Sequence, residues 1–203
     1  MPQKAYARAG VDIDLANRLK SRLGPRLRST RRPEVLGAVG GFGGLFRANF
    51  PAHRDPVLVA SIDGVGTKLK IAFMLDKHDS VGADLVNHCV NDILTLGAEP
   101  IFFLDYIGAG KLDPRVFGAL IHGMSKACAA AGCALLGGET AQMPGFYPPG
   151  EYDLAGCIVG IVDRKKIIEG TSIRPGDAII GLPASGLHTN GYSLARKILF
   201  EDM

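Results

Sequence analysis

The chain has no tryptophan, and aromatics make up only 7% of its 203 residues. Side chains on which bases stack are therefore scarce, which argues against a single-strand nucleic-acid platform. It also lacks any C-x-x-C pair. Its four cysteines, Cys89, Cys128, Cys133 and Cys157, each sit in an apolar segment. They read as buried, reduced thiols and not as disulfides or a zinc site. No apolar run approaches the roughly 20 residues a membrane-spanning helix needs. The opening MPQKAYARAGVDID has no apolar core of a signal peptide. Together these absences predict a cytoplasmic protein with no nucleic-acid and no membrane partner.

What is present fits a soluble globular chain, 47% hydrophobic and 21% charged, long enough for one full domain and part of another. Its 27 glycines cluster and do not repeat, which marks tight turns and places where backbone approaches a ligand. The net charge is a mild +3, and much of it falls in Lys20, Arg22, Arg26, Arg28, Arg31 and Arg32. A solvated helix face followed by a basic loop is the plainer reading. A collar that steers in a phosphorylated small molecule is the second.

Hydrophobic periodicity places the elements. Residues 12–28 read as a basic helix that Gly24-Pro25 interrupts. Pro56 opens an apolar run, 57–62, read as a buried strand. Residues 80–96 form the clearest helix, with Leu85, Val86, Cys89, Val90, Ile93 and Leu94 on one half. Residues 101–107 are a second strand, and Asp113-Pro114 starts a helix that Gly132 stops near Ala131. Residues 133–136 and 152–162 are further strands. The domain boundary is expected near residue 170. Residues 178–182 then read as a strand, and a helix starting at Tyr192 follows.

Four places carry chemistry. The polar half of the 80–96 helix holds only Asp84, Asn87, His88, Asn91, Asp92 and Thr95. Short groups lose little side-chain entropy when fixed, so this half suits cover by another element or a ligand. Asp63 ends a strand, a common place for a metal-binding carboxylate. Gly64 and Gly66 offer backbone N–H groups to an anion, and Thr67 and Lys68 offer a hydroxyl and a charge for phosphate. The segment is not G-x-x-x-x-G-K-[ST]. The glycine run 37–44 fails G-x-G-x-x-G, since position 46 is Phe. It reads as a loop closing over a triphosphate. Glu139 follows Gly137-Gly138, as a metal ligand, a general base or a hydrogen-bonded turn residue. His188 lies in the polar loop 185–191 that opens a helix, where free N–H groups bind anions.

Six strings stand together in one order: AGVDID with RRPEVLGAVGGFGGLF, DGVGTKLKIA (63–72), NDILTLGAEPIFFLDYIGAGKL (91–112), GGETAQMPGFY (137–147), DLAGCIVG (153–160) and SGLHTNGYSLARKIL (185–199). In these the chain resembles the phosphoribosylformylglycinamidine cyclo-ligase (aminoimidazole ribonucleotide synthetase) family. The resemblance covers nearly all of the sequence.

That resemblance implies an α/β (α+β) fold with a mixed sheet flanked by helices, the sheet pairing across a homodimer into a barrel. It implies an N-terminal ATP-binding and dimerisation domain, 1–170. Residues 171–203 would be the beginning of a C-terminal α+β domain, left incomplete because family chains continue past the point where this one stops at Met203. The implied reaction closes formylglycinamidine ribonucleotide to aminoimidazole ribonucleotide with ATP and Mg²⁺. ATP converts an amide oxygen into a leaving group, the amidine nitrogen attacks the carbon, and phosphate departs. Carried over by motif, Asp63 and Asp92 are the magnesium carboxylates. Gly41, Gly43, Gly44, Gly64, Gly66, Thr67, Lys68 and Asn190 are nucleotide or phosphate contacts. Asp92, Glu139 and His188 are the catalytic candidates. Two rivals remain: another small-molecule phosphotransferase of the superfamily, and a dimerising fragment without turnover.

Overall fold

The computed structural model of the chain describes residues 5–36 and 43–200. After a short N-terminal turn, α1 (Ala5–Arg8), Asp12 caps α2 (Ile13–Ser21) by accepting a hydrogen bond from the Leu15 N–H at 2.8 Å. The expected break at Gly24-Pro25 is real: α3 (Gly24–Arg28) starts there. The sequence reading did not anticipate the small hairpin that follows, β1 (Val35–Leu36) paired antiparallel with β2 (Leu45–Phe46).

The main sheet has four strands, β3 (Pro56–Gly64), β4 (Glu99–Ala109), β5 (Ala134–Gln142) and β6 (Tyr152–Asp163), in the order β3-β6-β4-β5. It is mixed: β4 and β5 run parallel, while β6 lies antiparallel to both its neighbours. The helices α5 (Asp79–Leu94) and α6 (Pro114–Ala131) pack on one face, reached through α4 (Leu69–Leu75). Phe103, Ile107, Leu154 and Ile158 project from the sheet into the core that Leu85, Val86, Cys89, Leu120 and Met124 complete. The fold is thus an α+β unit with a mixed sheet and its helices, as the sequence predicts.

Each helix has local causes. Asp113 caps α6 through the N–H groups of Arg115 and Val116, Pro114 occupies the first turn, and Gly132 ends the helix at φ 71°. The two helices approach backbone to backbone. A Cβ on Gly123 would fall on the carbonyl oxygen of Asp79, and one on Gly82 on that of Leu120.

Three sequence expectations change. The run 57–62 is not a buried strand. β3 is an edge strand, with Val57 and Val59 half-buried and Leu58 and Ile62 exposed at 61% and 73%, because no helix among the described residues covers the second face of the sheet there. The strand at 133–136 does not stop before Gly137-Gly138-Glu139 but runs through them to Gln142, because both glycines pair with β4 at Leu104 and Asp105. Residues 178–182 form no strand. Ile179, Ile180 and Leu182 are exposed, and no strand among the described residues lies beside them to take up their backbone bonds. The last helix, α7 (Tyr192–Phe200), forms as expected.

Candidate functional site

The site grows from one pairing of periodicities. Alternate residues of β3 face the helix layer, so Ser61 and Asp63 share a side. On α5, residues four apart share a face, so Asp84, His88 and Asp92 form one stripe. The two rows meet rung by rung. Ser61 Oγ donates to Asp92 Oδ2 at 2.7 Å, His88 Nε2 lies 3.0 Å from Asp63 Oδ2, and Lys68 Nζ lies 2.5 Å from Asp84 Oδ2. On the polar half of α5 the stripe Asp84, His88 and Asp92 is partly covered, whereas Asn87, Asn91 and Thr95 stay exposed, so the cover expected from its short side chains extends to one stripe only.

Asp63, His88 and Asp92 converge: one ligand atom of each lies within 4.8 Å of the others. The carboxylates that the sequence places on separate elements therefore come together. His88 was visible only as a member of the polar face. Its part in the cluster depends on which β3 residue lies opposite, and nothing local to the helix states that. Asp63 is held from both sides, since its Oδ1 accepts the N–H of Gly64 at 2.7 Å. That N–H is accordingly not free for an anion. Gly66, at φ 65°, opens the single 3-10 turn Gly66–Lys68 that turns β3 into α4.

The segment before α7 closes over this end of β3. Thr67 Oγ1 and Ser193 Oγ are 2.8 Å apart, and Lys68 Nζ donates to the His188 carbonyl at 2.7 Å and sits over the Tyr192 ring at 5.2 Å. Asn190 Nδ2 lies 3.4 Å from His88 Nε2, and Thr189 is buried beneath. Thus Thr67, Lys68 and Asn190 join the cluster. His188 joins it through its backbone, with an exposed residue above. Cys89, beside the cluster, is no nucleophile: burial, reinforced by the Asp63 and Asp92 charges, pushes its thiol up to about 12.

Two candidates stand apart. Glu139 is on β5, at the opposite edge of the sheet, in register with Tyr106 and, through Ala155, with Gly64. That row faces away from α5, so Glu139 and Asp63 lie on opposite sheet faces. Its carboxylate accepts the Thr140 N–H at 2.7 Å. Gly43 and Gly44 also belong to the β5 edge, where a Cβ on Gly44 would fall on the Leu136 side chain. Gly41 lies outside the described residues. Three inter-strand steps separate β5 from β3, roughly 14 Å. The basic residues divide as well. Arg32 ties down Glu34 and the Gly132 carbonyl, while Lys20, Arg28 and Arg31 line a cavity of about 260 Å³ at α3 and the start of β5.

On the same face as Asp63, two strands away, β4 carries Asp105 in register with Gly156 and Gly138. Burial, with a smaller contribution from the Glu139 charge, raises its carboxyl to about 7. The sequence reading did not single it out.

A mixed sheet with two helices on one face and a carboxylate pair at the sheet–helix seam defines the class: an α+β fold with its candidate site between sheet and helices. Among solved structures, thiamine-monophosphate kinase from Stenotrophomonas maltophilia K279a superposes with a TM-score of 0.58 at 19% identity over 71% of this chain and 43% of that one. A hydrogenase maturation protein HypE in complex with ATP superposes with 0.56 at 22% identity over 79% and 44%. At such identities the likeness concerns the fold alone. Residues 47–162 match the N-terminal domain of AIR synthase related proteins, and the chain belongs to that family. Curated proteins named phosphoribosylformylglycinamidine cyclo-ligase are similar over 198 residues, 98% of this chain. The one from Geobacter sulfurreducens is 60% identical and the one from Syntrophotalea carbinolica 61%. The chain spans 57% of the length of each. No helix among the described residues is long and apolar enough to cross a membrane.

Proposed function

We propose that the protein acts in the ATP-dependent closure of formylglycinamidine ribonucleotide to aminoimidazole ribonucleotide, a cytoplasmic step of purine biosynthesis. The observation that carries the reading is the convergence of Asp63 and Asp92, a carboxylate oxygen of each within 4.8 Å of the other, under a segment that brings Thr67, Lys68 and Asn190 to the same place. The 60% identity to proteins bearing that name supports the choice of reaction.

A divalent ion such as Mg²⁺ fits here, because it takes one or two carboxylates and fills its remaining positions with water and phosphate oxygens. Asp63 and Asp92 would hold it, and it would neutralise charge on the triphosphate of ATP. The protein's own work is orientation. Gly64 N–H and Ser61 Oγ fix the two carboxylates, and Lys68, already turned toward this end by Asp84, supplies a cation to a phosphate. Asn190 and the His188 loop form the wall facing it. Such positioning is the main protein contribution in phosphoryl transfer.

Gly43, Gly44 and Glu139, at the other edge of the sheet, act on the nucleotide from a second copy in this reading. The uncovered apolar face supports a homodimer that closes the sheet into a barrel. Residues 1–170 form the nucleotide-binding and dimerisation domain, and residues from 171 on belong to a second domain. The exposed Ile179, Ile180 and Leu182 support that division. The test is imidazole formation with ADP release from formylglycinamidine ribonucleotide. ADP release with a different phosphate acceptor, and none with this substrate, would place the protein among small-molecule kinases instead.

A further inference from the structure

We infer that Cys128 and Cys133 form a redox-sensitive pair, which a hydroperoxide converts into a disulfide joining the end of α6 to the residue that enters β5. The pair lies away from the β3–α5 cluster, and the inference does not depend on the reaction proposed above.

The backbone brings the two residues together. Gly132 ends α6 at φ 71°, its N–H donates to the Ala129 carbonyl at 3.2 Å, and the Cys133 N–H donates to the Cys128 carbonyl at 3.0 Å. These two bonds make a Schellman turn, in which the side chains of its first and last residues commonly meet. Here both are thiols, and they hydrogen-bond to each other. The main-chain bond alone keeps the two Cα atoms within about 7 Å by ordinary bond lengths. The angles of a hydrogen bond shorten that further, into the span of about 4.4–6.8 Å that a disulfide takes. Cys89, the next thiol along the core, is turned elsewhere, with its Sγ 3.4 Å from the Gly156 carbonyl.

The surroundings divide the two sulfurs into unequal roles. The hydrogen bond from Cys128 lowers the Cys133 thiol against the opposing effect of burial, and the Arg32 guanidinium adds a smaller push in the same direction. Arg32 is fixed there, because its Nη1 donates to the Gly132 carbonyl at 2.9 Å and to the Pro100 carbonyl at 3.3 Å. The same shared proton, with burial, raises Cys128. Cys133 is thus the sulfur with more thiolate character and the attacking one. Both thiols are buried, but the turn that encloses them is at the surface, with Ala129, Ala130 and Gly132 exposed. Local opening of one helix end admits a small oxidant.

The chemistry takes two steps. The Cys133 sulfur attacks one oxygen of the peroxide, the O–O bond breaks, and a sulfenic acid forms as water or an alcohol departs. The Cys128 sulfur then displaces the hydroxyl from Cys133, forming the S–S bond, and its proton leaves with that hydroxyl as water. The two thiols lose two electrons and two protons, and the peroxide takes them up.

The test treats the reduced, folded chain with hydrogen peroxide, alkylates the remaining thiols in denaturant, and maps the fragments by mass spectrometry. Cys128 and Cys133 should be found joined to each other, and dithiothreitol should restore both thiols. The bond should persist in Cys157→Ser and be absent from Cys128→Ser and from Cys133→Ser. The oxidised chain should also unfold at a higher urea concentration than the reduced one. Peroxide that leaves both thiols free, converts them to acids without a bond, or pairs either one with Cys89 or Cys157 would overturn the inference. A Cys128–Cys133 bond that lowers the urea midpoint would overturn it too, because the pair would then have been strained into place. If the serine variants do not fold, the mapping of the wild-type chain decides alone.

Discussion

Asp105 illustrates how a single residue can carry a pH dependence without touching the site. Its carboxyl is raised to about 7 chiefly by burial, against an ordinary 3.8. The folded state therefore holds a proton that the unfolded state has already released. Stability is greatest below about pH 4, falls as pH rises toward 7, and levels off above it. A fully desolvated group with this shift would lose about 4 kcal/mol. Asp105 keeps some exposed surface, so about half of that is expected. Asp105→Asn, uncharged throughout, should flatten the profile and unfold at higher denaturant than wild type at pH 8. Equal denaturation midpoints at pH 8 would contradict this account. His88 shows the reverse relation of sequence to site. On the helix alone it is one polar residue among six, and it becomes part of a cluster only because Asp63 lies opposite. Asp63 and Asp92 were legible as separate carboxylates. Their closeness was expected only through the family resemblance, since periodicity does not state the register of β3 against α5.

The elements were mostly legible where period and cap agree. The 80–96 helix forms within two residues of its expected ends, and α6 runs from Pro114 to Ala131 between the Asp113 cap and Gly132, as its ends predict. Gly137-Gly138 misled in the opposite direction. Two glycines read as a turn, but here they keep β5 in the ladder beside Asp105, where a Cβ on Gly138 would fall on the Asp105 carbonyl. Residues 178–182 have strand composition and no strand, because a strand is defined by its neighbour. The α5–α6 contact gives a matched pair of tests. Gly123→Ala places a methyl on the Asp79 carbonyl and must push the helices apart, at about 1–3 kcal/mol. Gly118→Ala, on the same helix, meets nothing closer than Arg26 Nη1 at 3.7 Å. It should be neutral or stabilise by up to about 1 kcal/mol through helix propensity. Urea denaturation of both variants measures the difference, and equal midpoints would contradict the close-packed contact.

At the scale of the whole molecule, the described residues put helices on one face of the sheet only, and Leu58 and Ile62 stand exposed on an edge strand. Exposed apolar edges of that kind are normally paired or covered. A second copy is the cover this account expects, and it would also bring Gly43, Gly44 and Glu139 toward the Asp63–Asp92 cluster. Sedimentation should find a dimer at micromolar concentration, and Ile62→Lys should shift it to monomer. A wild-type chain that sediments as a stable monomer would count against it. The central claim is that Asp63 and Asp92 jointly hold the divalent ion of a bound nucleotide. Titration calorimetry of ATP into the chain, with and without a divalent ion, tests it most directly. The account predicts ATP binding that requires the ion and weakens at least tenfold in both Asp63→Asn and Asp92→Asn. ATP affinity that is unchanged in both variants, or indifferent to the ion, would contradict it.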